Sequence, residues 1–137
     1  MVSELSWDDC LAQGIVYEVP FQSKKSVNLF ELAKVRLDFW SNQNTAPASL
    51  KLEAYYEIIK ELLFAHLYKK GFNCSNHVCL ISFCGEFFNF SKQDIFKLHK
   101  LRKLRNEINY RGLFIDSLEG EEDFILYVIN VLISVFS

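Results

Sequence analysis

The sequence predicts an all-α fold, a bundle of five or six antiparallel helices joined by short connections. Two observations support this prediction. Long segments repeat apolar residues at intervals of three and four, which is the period of an amphipathic helix. Only 5 glycines and 2 prolines occur in the 137 residues, so few positions favour turns or long disordered segments. The length fits one domain over residues 1–137, with an N-terminal extension at 1–25 and the bundle at 26–136.

The first two elements are a short helix and a connector. Ser6 is placed to cap the helix, Asp9 stands three residues later in capping-box position, and Gly14 can end it. The segment Ile15–Lys25, which contains Pro20, is predicted to be a connector without regular structure.

Two longer helices are expected next. Ser26 is expected to cap a helix of about four turns, SVNLFELAKVRLDFWSNQ, and Ser41–Ser49 is expected to form the loop after it. The clearest helix is Leu50–Lys70, after which Gly71 suits the C′ position. One stripe of this helix is predicted to face the core, with its histidine as a hydrogen-bonded core residue. The stripe consists of Leu52, Tyr55, Ile59, Leu62 and His66.

Three further helices complete the prediction. Ser75 is expected to cap a helix from about Asn76 to Phe87. Ser91 is expected to cap another from Lys92 to about Tyr110. The acidic segment Glu119–Asp123 precedes an apolar run to Phe136, and carboxylates at a helix N-terminus are favoured by the helix dipole.

The composition bears on partners and location. Half of the residues are hydrophobic and 15% are aromatic, which is more apolar surface than a small monomer readily buries, so a homodimer is expected. The most apolar run, Phe124–Phe136, is shorter than the roughly 20 residues that span a bilayer, and no signal-peptide pattern follows Met1. We therefore expect a cytoplasmic protein without membrane contact, whose 4 cysteines are reduced thiols.

The stretch CSNHVCLISFC brings together four residue types that can bind metals. Its spacing departs from the cysteine pairs that zinc sites use, and Cys79 and Cys84 face different sides of one predicted helix. We therefore expect Cys74, Cys79 and Cys84 to be small core residues and His77 to be a first-turn residue beside the Ser75 cap. Neither a metal nor a cofactor is predicted.

Positive charge concentrates in one helix of this acidic chain. The window Lys92–Arg111 carries a net charge of +5, whereas the whole chain carries −2. Such a stripe is either a solubilising helix face or a surface that binds anions and phosphates. Its basic residues are Lys92, Lys97, Lys100, Arg102, Lys103, Arg105 and Arg111.

A helical wheel places one of these arginines on the buried face. Leu98, Leu101, Leu104 and Ile108 define that face, and Arg105 falls inside it. A guanidinium in apolar surroundings is costly unless it meets an anion or several acceptors. Arg105 is therefore either half of a structural ion pair, with Glu57 or Glu61 as candidate partners, or part of a concave polar site. Arg102 and Asn109 lie at the edge of the same face.

Three stretches in order resemble the HEPN family of small helical proteins. AYYEIIKELLFAHLYKKGF is similar to the family's tyrosine-led helix, CSNHVCLISF to its Ser-His helix start, and LRKLRNEINYRG to its motif of arginine, polar residue and histidine. The resemblance covers about Ser26 to Phe136. It implies an up-down four-helix bundle that dimerises, with the motifs meeting in a cleft at the dimer interface.

The resemblance also implies a chemistry. In active HEPN proteins an arginine and a histidine support metal-independent RNA cleavage, in which a ribose 2′-hydroxyl attacks the neighbouring phosphate. The matching residues are Arg105, for transition-state charge, and Asn106, with Tyr110 in place of the histidine. A tyrosine titrates near pH 10, and loss of a general acid or base typically costs about 10²–10⁴-fold. Residues expected to bind substrate are Arg102, Lys103, Asn109 and Arg111.

Three functions are consistent with these patterns. The first is an RNA endonuclease of toxin–antitoxin type with a variant R-N-x3-Y motif. The second is a non-catalytic HEPN module that binds RNA, a nucleotide or a partner nucleotidyltransferase antitoxin in the same cleft. The third is a purely structural dimeric scaffold in which Arg105 forms a buried ion pair. Substitution of Arg105 abolishes cleavage in the first, weakens binding in the second and lowers only stability in the third.

Overall fold

The computed structural model describes residues 5–136, and this part of the chain forms six helices and two short strands. The predicted all-α class is confirmed, because the two strands contain only three residues each. In chain order the elements are α1 (Trp7–Ala12), β1 (Val16–Glu18), α2 (Ser23–Ser41), α3 (Ala48–Lys69), β2 (Phe72–Cys74), α4 (His77–Phe87), α5 (Lys92–Arg111) and α6 (Glu122–Ser134).

Helix α3 is the centre of the fold and contacts α2, α4, α5 and α6. Every residue of its predicted apolar stripe is buried. Burial also extends to the other sides of the helix, where Tyr56, Ile58 and Leu63 are at most 5% exposed. A helix that is buried over most of its surface forms the core around which its neighbours pack. Each fully buried leucine or isoleucine stabilises the fold by about 1.5–3 kcal/mol.

The contact between α3 and α6 includes a polar bond. Nε2 of His66 lies 2.8 Å from the carbonyl oxygen of Leu132. Burial lowers the pKa of His66, so the ring is neutral near pH 7 and its Nε2–H donates this bond. The prediction of a hydrogen-bonded core histidine is confirmed. No helix among residues 5–136 is long and apolar enough to cross a membrane.

The N-terminal segment packs onto the helical core. The predicted capping box of α1 is confirmed, since the Ser6 hydroxyl accepts from the Asp9 backbone N–H at 3.1 Å. Trp7 packs edge-on against Phe72 and Phe87. Next to them, a disulfide joins Cys10 of α1 to Cys79 of α4.

The disulfide corrects the expectation of four reduced thiols. Cys10 and Cys79 are separated by 69 positions, so only tertiary packing shows that they meet. Cys74 and Cys84 are free and buried, as expected for small core residues. Burial raises the pKa of Cys74 to about 11, which keeps it a thiol at neutral pH.

The predicted connector contains a strand that the sequence did not reveal. β1 pairs antiparallel with β2, with Val16 opposite Cys74. The pairing is extended by the backbone N–H of Val19, which donates to the carbonyl of Gly71 at 2.8 Å. Gly71 has φ +82°, a left-handed conformation that suits glycine and turns the chain from α3 into β2. Strands of three residues are too short to show an alternating pattern.

Two of the expected helix caps were wrong. Helix α2 begins at Ser23, and Ser26 lies buried inside it with its hydroxyl donating to the Ala65 carbonyl at 2.6 Å. Helix α4 is capped by Asn76, whose side chain accepts from the Cys79 backbone N–H at 2.9 Å. Ser75 instead donates to the carbonyl of Ile15 at 3.4 Å. Asn and Ser are nearly equal as caps, so adjacent candidates are not separated by residue type.

Candidate functional site

Polar side chains from three helices meet where α5 crosses α3 and the N-terminus of α4. Residues spaced three or four apart share one side of a helix, so α3 and α5 each present a row of polar groups to the other. This polar cluster consists of Glu53, Tyr56, Glu57 and Lys60 of α3, His77 of α4, and Arg102, Arg105, Asn106 and Asn109 of α5.

Arg105 lies at the middle of the polar cluster and is partly buried. Its guanidinium carbon is 5.9 Å from the centroid of the Tyr56 ring, within the range of a cation–π contact. Its Nη1 is 3.5 Å from Oδ1 of Asn106, a long and weak hydrogen bond. The inward position that the helical wheel predicted for Arg105 is therefore observed.

Asn109 connects Arg105 to α3. With its amide oriented by its neighbours, Oδ1 accepts from Nε of Arg105 at 3.1 Å and Nδ2 donates to Oε2 of Glu53 at 2.9 Å. The side chain of Arg105 is thus held by a neutral amide, while the carboxylate of Glu53 binds that amide. This bridge positions Arg105 without neutralising its charge.

Of the two alternatives for Arg105, the ion pair with Glu57 or Glu61 is not observed. Glu61 pairs with Arg36 of α2 at 3.1 Å, and Glu57 pairs with Lys60, one turn away on α3, at 2.9 Å. Within residues 5–136, no carboxylate forms an ion pair with Arg105. A guanidinium has five N–H donors, and the two contacts to amide oxygens use only part of them.

Tyr56 is a buried residue of the polar cluster. Its side chain is 5% exposed, and burial raises its pKa to about 12 against the opposing charges of Arg102 and Arg105. The phenol is therefore neutral at physiological pH. Its ring contacts Arg105 and lies 6.1 Å, centroid to centroid, from the ring of His77.

His77 begins α4 and is partly buried beside Tyr56. Its pKa is lowered, first by burial and then by the positive charges of Lys60, Arg105 and Arg102, with Glu57 acting in the opposite direction. The imidazole is neutral near pH 7, with one nitrogen able to accept a proton. His77 does lie in the first turn, as expected, but its neighbours include the arginines of α5.

The sequence did not identify His77 as a site residue. The packing of α4 against α5 brings it next to Arg105, although the two residues are 28 positions apart. The available signal was the order of the three family-like stretches, the second of which contains this histidine.

Tyr110 lies outside the polar cluster of its own chain. It is 76% exposed. Helix α5 continues through Arg111, so the backbone does not unwind to turn Tyr110 toward Arg105. The three residues expected to be catalytic are therefore not brought together within one chain: Arg105 and Asn106 are adjacent, and Tyr110 faces solvent.

The four residues expected to bind substrate divide into two pairs. Arg102 and Asn109 belong to the polar cluster, where the charge of Arg102 acts on both Tyr56 and His77. Lys103 and Arg111 lie on the exposed side of α5, and Arg111 pairs with Glu107 at 3.7 Å. These two residues extend positive charge along the outer surface.

An open cleft adjoins the polar cluster along α3. Its volume is about 290 Å³, and Glu53 and Glu57 belong to both the cleft and the polar cluster. Trp40 of α2 also lines the cleft and is partly buried. An indole in such a position offers a surface on which a base can stack.

The described part of the chain contains no group of three or more His, Cys, Asp or Glu residues arranged to hold a metal ion. In CSNHVCLISFC, Cys79 is committed to the disulfide and His77 faces the polar cluster.

Comparisons with known protein families, with curated proteins and with solved structures found no match to the chain.

Proposed function

We propose that the chain is a HEPN-type endoribonuclease that binds RNA at the polar cluster and cleaves it without a metal ion. The observation that carries the proposal is Arg105: a partly buried guanidinium, positioned by Asn109, that has no carboxylate partner in residues 5–136. A fixed arginine with donors to spare is suited to a phosphodiester, which it can bind through two parallel hydrogen bonds.

The surroundings of Arg105 support RNA over a small anion. Arg102 adds a second positive charge beside it. The adjoining cleft contains Trp40, on which a base of the bound strand could stack. Lys103 and Arg111 on the exposed side of α5 can contact phosphates further along the strand.

A non-catalytic module that binds RNA or a nucleotide is the second candidate. The exposure of Tyr110 favours it, because the residue that replaces the family's histidine does not reach Arg105 within its own chain. The structural scaffold has less support, because its expected ion pair with Glu57 or Glu61 is absent and both carboxylates bind other cations.

The proposal includes a fold type and partners. We propose an up-down four-helix HEPN bundle that forms a homodimer and works with a nucleotidyltransferase antitoxin. Exposed aromatic residues at the end of α5 and just beyond it support a subunit interface there, since Tyr110 is 76% and Phe114 is 70% exposed. We also propose that the protein acts on RNA in the cytoplasm. Because glutathione and thioredoxin keep most thiols reduced there, the proposal requires that burial protect the Cys10–Cys79 bond or that the fold form without it.

The test is cleavage of a mixed-sequence RNA by the purified protein in the presence of EDTA. We expect the wild type to cleave and Arg105→Ala to lose about 10²–10³-fold in rate, which is the typical effect of removing one donor that stabilises transition-state charge. Arg111→Ala is the matched control, since it removes the same side chain from an exposed position of the same helix. Its effect is expected to be a weaker affinity with little change in kcat.

The outcomes separate the candidate functions. A wild type that binds RNA with Arg105-dependent affinity but does not cleave it indicates the binding module. A wild type that neither binds nor cleaves, with Arg105→Ala changing only the melting temperature, contradicts the proposal and indicates a scaffold.

A further inference from the structure

Metal-independent cleavage by a 2′-hydroxyl needs a group that accepts its proton, and the expected residue is not at the site. Tyr110 is exposed and separate from Arg105 in its own chain. A phenol is also a poor proton acceptor at neutral pH, because it is already protonated. The polar cluster must therefore contain another acceptor if it cleaves RNA.

The three histidines of the chain are the natural candidates, and two are engaged elsewhere. His66 is 5% exposed and bound to the Leu132 carbonyl between α3 and α6. His99 is 4% exposed and lines a depression with Trp7 and Ser82, on the part of α5 that faces α1 and α4. His77 lies near the same Tyr56 ring that Arg105 contacts, so it is the histidine of the polar cluster.

The carboxylates of the polar cluster are less suited to this role. Glu57 is paired with Lys60 at 2.9 Å. Glu53 accepts a hydrogen bond from Asn109 at 2.9 Å, which holds the amide that positions Arg105. Protonation of either carboxylate would weaken these contacts, because it removes the negative charge that strengthens them.

From this geometry we infer that His77 is the general base of the proposed RNA cleavage, a catalytic role that rests on the proposed function. The 2′-hydroxyl proton passes to a ring nitrogen of His77 as the O2′–P bond forms and the P–O5′ bond breaks. The departing O5′ takes a proton from water, and the imidazolium returns its proton to the hydroxide so produced. The products are a 2′,3′-cyclic phosphate and a 5′-hydroxyl, with no net change in protons.

The charges around His77 suit this role. The groups that face it are Tyr56, Glu57 and Lys60 of α3 and Arg102 and Arg105 of α5. Burial and then the neighbouring cations lower the pKa of His77, so the ring is in the proton-accepting form at neutral pH. Arg105 lies against the same Tyr56 ring, where its guanidinium can bind the phosphate whose negative charge grows in the transition state.

The experiment compares His77→Gln with wild type and Arg105→Ala, measuring kcat/KM for cleavage of a short RNA between pH 4.5 and 8.5 in EDTA. For the wild type we expect kcat/KM to rise with pH through a pKa below 6.5 and then level off, since only neutral His77 accepts a proton. His77→Gln should lose about 10²–10⁴-fold on the plateau. It should also lose the acidic limb of the profile, while its affinity for a non-cleavable 2′-deoxy analogue stays within about threefold.

A second variant separates chemistry from structure. His77→Ala removes the ring, and added imidazole should restore cleavage in proportion to the concentration of neutral imidazole. A purely structural role of His77 would not produce this dependence. The same treatment should not restore Arg105→Ala. Circular dichroism and the melting temperature establish that each variant is folded.

Failure of this inference differs from failure of the proposed function. If His77→Gln cleaves at the wild-type rate with an unchanged pH profile while Arg105→Ala is inactive, the RNase proposal stands and His77 is not its base. If folded His77→Ala is inactive and imidazole does not restore it, His77 is a positioning residue and the inference is also overturned. If the wild type binds RNA without cleaving it, the enzyme proposal and this inference fall together.

Discussion

His77 and Arg105 respond differently to an anion, although both lie near the ring of Tyr56. Arg105 remains charged at any physiological pH. His77 is held neutral by burial and by the cations around it. A phosphodiester bound at Arg105 would offset those cations, and a nearby negative charge stabilises the imidazolium. Occupation of the polar cluster by RNA should therefore be visible as a change in the pKa of His77.

The prediction is that a non-cleavable 2′-deoxy oligonucleotide raises the pKa of His77. Because the folded protein then binds protons and ligand together, affinity should increase as the pH falls through the pKa of His77 in the complex. The measurement is an NMR titration of the imidazole carbons with and without saturating oligonucleotide. A phosphodiester does not itself titrate in this range, so the shift reports the histidine.

Arg105→Ala is the control for this titration. In the free variant the pKa of His77 should be higher than in the wild type, because one of the charges that lowers it is gone. The oligonucleotide should then have little further effect. A wild-type His77 whose pKa is unchanged at saturation places the bound phosphate away from the polar cluster.

At the scale of helices, the straight course of α5 determines which side chains meet. Helix α5 is uninterrupted from Lys92 to Arg111 and ends at Gly112, whose φ of +67° allows the turn. Arg105 and Tyr110 therefore stay on different sides of one helix. The variant residue of the family-like motif is presented to solvent or to a second chain.

We predict that Tyr110→Phe leaves cleavage within about threefold of the wild type and changes stability by at most about 0.5 kcal/mol, as is usual for exposed positions. The checks are kcat/KM in EDTA and a chemical denaturation curve. A loss of cleavage comparable to that of Arg105→Ala would contradict this and show that Tyr110 completes the site of a partner subunit. Mixing inactive Tyr110→Phe with inactive Arg105→Ala would then restore activity in the heterodimer.

Short-range sequence patterns predicted where the helices lie, but they predicted only some of the residues that cap the helix N-termini. Ser6 and Ser91 were identified correctly because each forms a capping box with an aspartate three residues later, a reciprocal pattern contained in four positions. Ser26 and Ser75 lacked that partner. Ser26 proved to be a buried residue that bonds to Ala65 of α3, a contact 39 positions away that no local pattern contains.

The site residues, like the helix starts, were predicted where the signal was local and missed where it depended on packing between helices. Periodicity along α5 was enough to turn Arg105 inward, because that depends only on which residues of one helix are apolar. Its neighbours depended on packing between helices: Tyr56 comes from α3 and His77 from α4. The sequence left open whether Arg105 pairs with a glutamate of α3. Glu61 pairs with Arg36 of α2, and the helical wheel of α5 carries no information about α2.

At the scale of the whole molecule, the N-terminal segment contributes Trp7, Cys10 and Val16 to the hydrophobic core. β1 pairs with β2, and Trp7 packs against Phe72 and Phe87. The disulfide ties α1 to α4 only two residues after His77. The position of the proposed base therefore depends on a segment that lies outside the family-like stretches.

The disulfide leads to the last prediction. A bond between residues 69 positions apart stabilises the fold by about 4 kcal/mol in the chain-entropy description, so Cys10→Ala/Cys79→Ala should lower the melting temperature by roughly 10 °C. Cys74→Ala, which removes a buried free thiol, is the matched control and should have a smaller effect.

Because Cys10 and Cys79 are fully buried, dithiothreitol should open the bond only as the protein unfolds. Alkylation in denaturant without reductant should label two of the four cysteines. Labelling of all four would contradict the bond, and an unchanged melting temperature in the double variant would show that packing of Trp7 alone holds α1 in place.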